Sequence, residues 1–352
     1  MTRSAAGQPG RTTDVSGGAS LHAPPPSFKE SRMKNQAVIV ITGSDDPMWP
    51  FLRDACTEDE KERIFLYATD LPNRAGLRYC PQKRDSAVFA IELEEISGGN
   101  IAGIWMRRIF PPELNNLTPA LREYCHKEYR SFLEGLEYCL RSARWVSLPS
   151  AINAARSKAL QLSLAQDAGF GTLVTSFTNH PKFALGFMSQ RQAIYKSIDS
   201  PRVPLYPDKH STVFTTLLQE EDVPKIEGVK ACPGIFQEFC DKAADIRVTT
   251  IHNSVFAVKI DSQLGQDCRI DFRRGARHVP HTPHDLPKQI ADSCLAITKK
   301  LDLEFSAIDL ALLKDGSYVF FEVNPNGQWG WLEERTGLPM RRALLDYLFY
   351  GR

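Results

Sequence analysis

The sequence predicts an α/β (α+β) protein with an α/β N-terminal domain and a β-rich C-terminal part. The apolar run Ala37–Thr42 (AVIVIT) is typical of a buried parallel strand and ends at Gly43. A long amphipathic helix, with Thr118 as its N-cap and Pro119 at its first position, follows the short strands of this domain. From Gly234 onward the pattern is mostly that of β-strands.

Composition limits the classes of function. A chain of 352 residues is too long for one ordinary core and indicates two or three packed domains. With 42% hydrophobic and 24% charged residues, it has the make-up of a soluble globular protein. The net charge of +1 argues against bulk binding of nucleic acid or of an acidic membrane surface. No apolar run approaches the roughly 20 residues that span a bilayer.

The eight cysteines are scattered and form no CxxC pair, so neither a zinc cluster nor a thioredoxin-like centre is expected. Because the sequence also lacks the apolar region of a signal peptide, we expect reduced thiols in a cytoplasmic protein. Residues 1–33 are rich in Gly, Ser and Pro and are expected to form a disordered extension, with Met33 as an alternative start of translation.

An N-terminal α/β domain is expected over residues 34–148, with further apolar runs at Ile64–Tyr67, Ala87–Ile91 and Ile101–Met106. Its first strand is not followed by G-x-G-x-x-G, so no motif supports a dinucleotide-binding fold. Arg107 and Arg108 directly follow the last of these runs and could there bind an acidic substrate. Packing within the domain explains these two arginines equally well.

A central segment, residues 149–233, and a C-terminal segment, residues 234–352, complete the predicted organisation. A helix is expected over Asn153–Ala168, ended by Gly169. The last helix is expected over Pro339–Tyr350. The strands predicted for the two segments are Thr172–Phe177, Ala193–Ile198, Ile235–Phe239, Arg247–Ile251 and Val255–Ile260.

The segment Phe305–Trp331 carries the strongest functional signal, because charged residues interrupt two apolar strands. Asp315-Gly316 predicts a two-residue hairpin turn, which would place Asp309 directly opposite Glu322. Asn324 then lies two residues further along the same face as Glu322. The opposite face is wholly apolar in this register: Ile308, Leu310, Leu312, Val319, Phe321 and Val323.

These facing side chains predict a metal site. Carboxylates about 5 Å apart repel one another unless a cation lies between them. The oxygen-only set of Asp309, Glu322 and Asn324 suits a hard cation such as Mg²⁺. The alternative is an ordinary hairpin with a solvated polar face. Ala307 and Phe320 make that face only partly polar, which favours the metal site.

Two lysines are candidates for binding phosphate. Lys196 lies within an apolar strand run, where its ammonium group needs an anionic partner such as a nucleotide phosphate. Lys158 lies on the predicted second helix. A solvated helix position is the alternative for Lys158, and a structural role in the strand is the alternative for Lys196.

The stretch Gly234–Arg247 (GIFQEFCDKAADIR) is compatible with a nucleotide-binding hinge. The backbone at Gln237 and Glu238 could face an adenine edge, with Phe239 against the ring. Asp245 could then accept hydrogen bonds from ribose hydroxyls. Many strand-to-loop transitions share this pattern, so the signal is weak by itself.

Basic residues are concentrated in Cys268–His278 (CRIDFRRGARH), which holds Arg269, Arg273, Arg274, Arg277 and His278. Guanidinium groups bind phosphate and carboxylate through paired hydrogen bonds. The cluster therefore predicts recognition of acidic groups on a nucleotide and a substrate. A basic surface loop is the alternative.

The order of these motifs (two lysines, QEF, DIR, DFR, then Asp and Glu-x-Asn) resembles that of the ATP-grasp carboxylate ligases, among them the ribosomal-protein glutamate ligases. The resemblance covers roughly residues 101–340 and is most specific at EVNPNGQWGWLE. The maturases of microviridin-type peptides, the graspetide ligases, are similar to the stretches IWMRR, NAARSKALQLSLAQDAGF, FQEFCDKAADIRVT, IDFRR and FFEVNPNGQWGWLE. These enzymes install ester or amide cross-links in a ribosomally made precursor peptide.

The resemblance implies an ATP-grasp fold, in which a pre-ATP-grasp domain precedes two β-rich subdomains that enclose ATP. Similar enzymes phosphorylate a substrate carboxylate, and a hydroxyl or amine then attacks the acyl phosphate. By this resemblance, two Mg²⁺ ions would be held by Asp309, Glu322 and Asn324. ATP would be bound through its phosphates by Lys158 and Lys196, through its γ-phosphate by Arg273, through its ribose by Asp245 and through its adenine by Gln237, Glu238 and Phe239. Arg247 would have a catalytic role, and the substrate would be bound by Arg107, Arg108 and Arg274.

The expected function is therefore an ATP-dependent peptide macrocyclase. The implied partner is a precursor peptide with a leader and a core rich in acidic and hydroxyl residues, and a homodimer is expected from similar enzymes. Neither nucleic acid nor a membrane is expected as a partner. One alternative is an intermolecular ligase that adds an amino acid or peptide to a carboxylate. The other, a non-catalytic nucleotide-binding protein, is disfavoured by the complete set of Asp309, Glu322, Asn324 and Lys196.

Overall fold

A computed structural model describes residues 37–199, 202–205 and 209–352; the extension predicted over residues 1–33 lies outside them. The N-terminal domain is built on a parallel sheet in the order β2-β1-β6-β7, with a separate antiparallel sheet β3-β4-β5. Its elements are β1 (Ala37–Thr42), α1 (Met48–Asp54), α2 (Glu58–Lys61), β2 (Ile64–Ala68), β3 (Ala75–Arg78), β4 (Val88–Ile91), β5 (Glu94–Ser97), β6 (Ile101–Met106), α3 (Pro119–Glu134) and β7 (Arg144–Trp145).

The position of β1 explains its composition. It lies between β2 and β6, and all six of its residues are buried, so every side chain meets the core. The predicted start of α3 is also confirmed, because the Thr118 side chain accepts a hydrogen bond from the backbone N–H of Leu121 and Pro119 opens the helix.

The central segment joins three helices to a small antiparallel sheet in the order β13-β10-β14-β9, whose strand β14 is Gly234–Glu238, and to a separate hairpin β11-β12. A 3₁₀ helix, Glu220–Lys230, follows. The elements before it are α4 (Pro149–Ala155), α5 (Lys158–Asp167), β8 (Gly171–Thr172), β9 (Thr175–Thr178), α6 (Pro181–Gln190), β10 (Ala193–Lys196), β11 (Arg202–Leu205), β12 (Lys209–Thr212) and β13 (Thr216–Leu217).

The single helix predicted over Asn153–Ala168 is wrong. Two helices meet here, because α4 ends at Ala155 and the Ser157 side chain accepts the backbone N–H of Leu160 as the N-cap of α5. A serine that bonds to the backbone in this way competes with a continuous helix. The break places Lys158 at the first residue of α5 rather than in the middle of a helix.

The C-terminal segment forms a six-stranded sheet in the order β17-β16-β15-β18-β19-β8, backed by α7. The adjoining strand β14 pairs with β10 and β9 of the small sheet in the central segment. The boundary predicted after residue 233 therefore separates β14 from the sheet to which it belongs. The elements are β14 (Gly234–Glu238), β15 (Lys242–Ile251), β16 (Ser254–Ile260), β17 (His281–Pro283), α7 (Lys288–Lys300), β18 (Phe305–Leu313), β19 (Tyr318–Asn324), α8 (Gly330–Thr336) and α9 (Met340–Tyr350).

The last helix joins the C-terminal segment to the N-terminal domain. Arg144 donates hydrogen bonds to the carbonyls of Tyr347, Leu348 and Phe349 at the end of α9, where cations are favoured. Gly103 on β6 allows this approach, since a Cβ there would lie 2.4 Å from the Leu348 carbonyl oxygen. Throughout the described ranges, no helix has both the length and the apolar character that crossing a lipid bilayer requires.

Candidate active site

The β18–β19 hairpin has two irregularities that cancel. Leu313 and Ser317 enclose a three-residue loop in which Gly316 has φ +84°, so the predicted two-residue turn is wrong. This loop shifts the pairing by one residue, as in Leu310 opposite Phe320. A β-bulge then restores it, so Asp309 lies opposite Glu322 as predicted.

The bulge also exchanges the faces of two aromatic residues. Phe321 is the extra residue of the bulge, and its ring lies beside two ammonium groups, 5.0 Å from Lys196 and 5.4 Å from Lys242. Phe320 packs instead in the core between the sheet and its helices. The prediction that Phe321 belongs to the apolar face is therefore wrong, because the bulge interrupts the alternation of β19 at Phe321 and Phe320 instead lies opposite Leu310.

Lys196 ends β10 and is held in place by hydrogen bonds. Its Nζ donates to Oε1 of Gln237 at 2.8 Å, and the Gln237 amide in turn donates to Thr175 Oγ1 at 2.9 Å. Burial lowers the pKa of Lys196, although the negative charge of Glu322 opposes this shift. Gln237 itself is buried beneath the lysine rather than exposed in the cavity.

Lys242 is a further buried lysine that the sequence pattern did not single out. It forms an ion pair with Asp245, Nζ to Oδ1 at 2.7 Å, and both residues are buried. The second oxygen of Asp245, Oδ2, is buried without a hydrogen-bond partner among the described residues. Burial raises the pKa of Asp245 in spite of this pair. One carboxylate oxygen is thus available to a hydroxyl donor.

Asp309, Glu322 and Asn324 come together at the end of the hairpin. The Asn324 amide Nδ2 donates to Asp309 Oδ2 at 3.1 Å and to Glu322 Oε1 at 3.3 Å, so one NH₂ group lies between the two carboxylates. Arg247, which pairs with Asp309 across β15 and β18, donates to Asp309 Oδ1 at 2.7 Å. Lys158 Nζ lies 3.8 Å from Glu322 Oε2.

The two carboxylates differ in their electrostatic surroundings. Burial and the nearby Glu322 raise the pKa of Asp309, and Arg247 opposes them. Burial also acts to raise the pKa of Glu322, but the charges of Lys158, Lys196 and Arg273 outweigh it and hold that pKa below its ordinary value. Glu322 is therefore an anion among cations at neutral pH.

The fit of a divalent cation can be judged from this donor set. An amide N–H bridging two carboxylates occupies the position that a cation would take, and a half-turn of the Asn324 amide would present its oxygen there instead. Carboxylate and amide oxygens are the ligands of Mg²⁺. Among the residues that the structure describes, no cluster of three or more His, Cys, Asp or Glu side chains has metal-binding geometry. Any Mg²⁺ here would therefore take its other ligands from water or phosphate.

Arg273 lies near these carboxylates, in the short 3₁₀ helix Phe272–Arg274. Its guanidinium group donates through Nε and Nη2 to the two oxygens of Asp271, which is buried. Asp271 also accepts the backbone N–H of Thr215 and so joins this arginine to the connection after β12. Arg274 lies over the ring of Phe214, 4.6 Å from its centroid.

Two cavities meet at these residues. We call one the lysine cavity, which is lined by Lys158, Lys196, Asp199, Phe239, Cys240, Lys242, Asp245 and Phe321. We call the other the arginine cavity, which has a volume of about 690 Å³ and is lined by Arg247, Arg274, Gly275, Arg277, His278, Gly327, Gln328, Trp331 and Arg335. Both include Phe272, Arg273, Asp309, Glu322 and Asn324.

The structure thus brings most of the predicted site residues together. Lys158, Lys196, Phe239, Asp245, Arg273, Asp309, Glu322 and Asn324 line the lysine cavity, and Arg247 and Arg274 line the arginine cavity. Glu238 lines neither cavity. The residues that sequence reasoning missed are Lys242, Asp271, Phe321, Trp331 and Arg335. Asp271 and Trp331 lie within the IDFRR and FFEVNPNGQWGWLE stretches, which could have identified them.

Arg107 and Arg108 line neither cavity. Arg107 is buried and forms an ion pair with the buried Asp46, whereas Arg108 is exposed. Both border a cleft at the carboxyl end of β6 that shares Gln328 and Trp331 with the arginine cavity. A role for either in binding substrate stays a prediction.

Comparisons with known proteins agree with this arrangement. Residues 37–153 match the family model of the MvdD pre-ATP grasp domain, and residues 210–348 match that of the RimK-like ATP-grasp domain. Among curated proteins, none matches the sequence.

Solved structures extend the similarity over most of the chain. Macrocyclase MdnC from Microcystis aeruginosa MRC, bound with precursor peptide MdnA, is 26% identical with a TM-score of 0.76 and covers 89% of this chain and 99% of its own. Macrocyclase MdnB from the same organism is 29% identical with a TM-score of 0.70, over 90% and 100%. A RiPP-associated ATP-grasp ligase from Chryseobacterium gregarium, in complex with ADP and a leader and core peptide, is 22% identical with a TM-score of 0.77, over 89% and 96%. The predicted α/β fold class is confirmed.

Proposed function

We propose that this chain, which belongs to the ATP-grasp ligases, activates Asp or Glu side chains of a ribosomally made precursor peptide as acyl phosphates and closes side-chain ester or amide cross-links. The observation that carries the proposal is the meeting of the two cavities at Arg273, Asp309, Glu322 and Asn324. One cavity suits the nucleotide, and the other suits an acidic side chain that must reach the terminal phosphate.

The nucleotide side of the proposal rests on the lysine cavity. Lys158, Lys196 and Arg273 line it. The two lysines would contact phosphate oxygens, and Arg273 would contact the γ-phosphate. Phe239 would lie against adenine, with Gln237 and Glu238 supplying the backbone of the hinge. The unpartnered Oδ2 of Asp245 supports its proposed role as acceptor of a ribose hydroxyl.

The chemistry needs charge neutralisation more than a protein nucleophile. An oxygen of the substrate carboxylate attacks the γ-phosphorus, the bond to the β-γ bridging oxygen breaks, and ADP leaves with that electron pair. Both reactants are anions, so Lys196, Arg247 and Arg273 around the junction would lower the barrier by screening them. A hydroxyl or amine then attacks the acyl carbon, phosphate leaves, and the proton of the nucleophile is released.

Mg²⁺ at Asp309, Glu322 and Asn324 would neutralise charge on the phosphates when bound. Two ions are proposed. Two carboxylates and one amide leave coordination positions open for phosphate oxygens, as expected for a site that binds Mg²⁺ together with ATP. The ion pair between Arg247 and Asp309 keeps the carboxylate oriented toward Asn324.

The test is ADP release in the presence of an acidic precursor peptide, such as the product of a short neighbouring reading frame rich in Thr, Ser, Asp and Glu. Glu322→Gln should abolish peptide-dependent turnover, because it removes one charge at the metal while the side-chain size and the apolar core face remain. Glu334→Gln is the matched control, since Glu334 is exposed on α8 outside both cavities. Near-wild-type turnover in Glu322→Gln contradicts the proposal.

Mass spectrometry separates the proposed function from its nearest rival. A macrocyclase removes one water per cross-link from a single peptide, whereas an intermolecular ligase adds the mass of a second reactant. A gain of mass would favour the rival. The proposed homodimer is tested by light scattering of the purified protein.

A further inference from the structure

The arginine cavity carries more positive charge than a single reacting carboxylate requires. At the end that Asp309 and Glu322 line, the buried Arg247 is paired with Asp309, while the more exposed Arg273 is paired with the buried Asp271. Three further arginines at the exposed end, Arg274, Arg277 and Arg335, form no ion pair with any carboxylate in the described part of the chain. We call Arg277 and Arg335 the outer pair. Unpaired guanidinium groups along one wall of a cavity are typical of sites that bind anions.

Arg335 is held by contacts with uncharged side chains and not by a carboxylate of the described residues. Its guanidinium group lies 5.8 Å from the centroid of the Trp331 ring, and Nη1 lies 3.0 Å from Nδ1 of His281. The same Nδ1 lies 2.8 Å from the carbonyl oxygen of Val279. A neutral imidazole nitrogen either donates or accepts, so it cannot serve both partners.

Either tautomer of His281 leaves a group unsatisfied. With the proton on Nδ1, the ring donates to Val279 and an N–H of Arg335 faces another N–H. With the proton on Nε2, that nitrogen is buried without a hydrogen-bond partner among the described residues. Burial and the charge of Arg335 lower the pKa of His281 and so disfavour the doubly protonated ring. Arg335 therefore gains from exchanging this contact for a bidentate bond to an anion.

The size of the cavity agrees with a ligand larger than one side chain. Its volume of about 690 Å³ lies within the range of sites that enclose drug-sized ligands. An acidic side chain that reaches Asp309 and Glu322 occupies only the end that they line. The rest of the cavity, which Trp331 and the outer pair line, offers room for the peptide that carries this side chain.

We infer that the outer pair, Arg277 and Arg335, binds a second carboxylate of the peptide substrate while the first is held at the junction of the two cavities. This inference rests on the proposed function and deepens it, since it makes the preferred substrate a peptide with two acidic residues close in sequence. ATP phosphates do not explain the outer pair, because Arg277 and Arg335 do not line the lysine cavity.

The test compares two synthetic heptapeptides with blocked ends and an uncharged fluorophore. One has a single Glu in a neutral background, and the other has a second Glu two residues away, about 7 Å along an extended chain. Binding is measured by fluorescence anisotropy with Mg²⁺ and ADP present. The second Glu should tighten binding by about tenfold, the scale of one charge-assisted contact.

Variants locate the gain. Arg277→Gln with Arg335→Gln should remove most of the tenfold difference and leave the affinity for the single-Glu peptide nearly unchanged. Arg269→Gln is the matched control, because Arg269 is an exposed arginine of the same loop that does not line either cavity. The inference is overturned if the second Glu brings no gain, or if Arg269→Gln removes as much of it as the outer-pair variant does.

The outcome for the proposed function is read separately, as ADP release with each peptide. ADP release without a gain from the second Glu leaves the proposed function standing and overturns the outer subsite. A gain that depends on Arg277 and Arg335, without ADP release from either peptide, supports the anion subsite and counts against the ligase.

Discussion

Replacing Lys196 with Met separates a catalytic role of the charge from a structural one. Met keeps most of the length of the side chain and its contact with the Phe321 ring, and removes the ammonium group. The structure places this group among Gln237, Phe321 and the charge of Glu322. Loss of one pre-organised charge at a phosphoryl-transfer site should reduce turnover by about 10²–10³-fold.

The expected effect of Lys196→Met on stability is small, because two contributions oppose one another. Gln237 Oε1 loses its donor, which costs about 1–3 kcal/mol for a buried acceptor. The desolvation that lowers the pKa of Lys196 is relieved at the same time, and Glu322 keeps Lys158 as an ion-pair partner. The free energy of unfolding should therefore fall by no more than about 2 kcal/mol.

Lys242→Met is the matched control, since Lys242 contacts the same Phe321 ring from the lysine cavity. Its partner Asp245 is buried and already has one oxygen without a partner. Removal of one member of a buried ion pair costs about 3–5 kcal/mol. This variant should lower the melting temperature clearly, whereas Lys196→Met should not.

The assay combines ADP release per folded molecule, with an acidic peptide as substrate, and thermal unfolding followed by circular dichroism. The reasoning is refuted if Lys196→Met retains turnover while its melting temperature falls as far as that of Lys242→Met. Lys196 would then be a structural residue of β10, the alternative that its position in an apolar strand leaves open.

Three further predictions concern other parts of the molecule. Arg273→Lys keeps the charge but loses the two-pronged contact with Asp271, so ADP release should fall substantially with little change in melting temperature. Gly327→Ala would place a Cβ 2.6 Å from the Cβ of Ala307 and 2.7 Å from Nη2 of Arg247, so both turnover and the melting temperature should fall while circular dichroism at room temperature stays native. Burial acts to raise the pKa of Glu60, but hydrogen bonds from Arg342, Thr57 and Tyr350 hold it at about 2 against an ordinary 4.5. Because that folded-state pKa is depressed, the stabilisation is present above pH 4.5 and is lost as pH falls to about 2. Chemical unfolding of Glu60→Gln should therefore show lower stability than wild type at pH 7 and no difference near pH 2.

The hairpin shows how far local sequence patterns extend. Asp315-Gly316 correctly marks a turn, and the charged residues on apolar strands, Asp309 and Glu322, line both cavities. The turn has one residue more than predicted, however, and a bulge at Phe321 compensates for it. Without this bulge, the three-residue turn would pair Asp309 with Phe321 and not with Glu322. The correct pairing of Asp309 with Glu322 thus followed from an incorrect account of the turn.

The rest of the site depends on contacts between segments far apart in sequence. Arg247 meets Asp309 because β15 and β18 pair in register, and Lys196 meets Gln237 because β10 pairs with β14. No local periodicity encodes either pairing. Lys242 could not be identified from sequence either, because its spacing of three residues from Asp245 is common among solvent-exposed ion pairs. Only the structure shows that this pair is buried.

Burial accounts for the difference between what the sequence could and could not predict. A charged residue stands out among the apolar residues of a strand, so Asp309, Glu322 and Lys196 could be identified from sequence. Charged residues are usual in irregular loops, so the sequence alone does not distinguish Arg277 from the exposed Arg269 of the same loop. Only the fold brings Arg277 into the lining of the same cavity as Arg335, Trp331 and the carboxylates of Asp309 and Glu322. The sequence therefore identifies the arginine cluster as a whole, whereas only the fold distinguishes its members that line a cavity from those that do not.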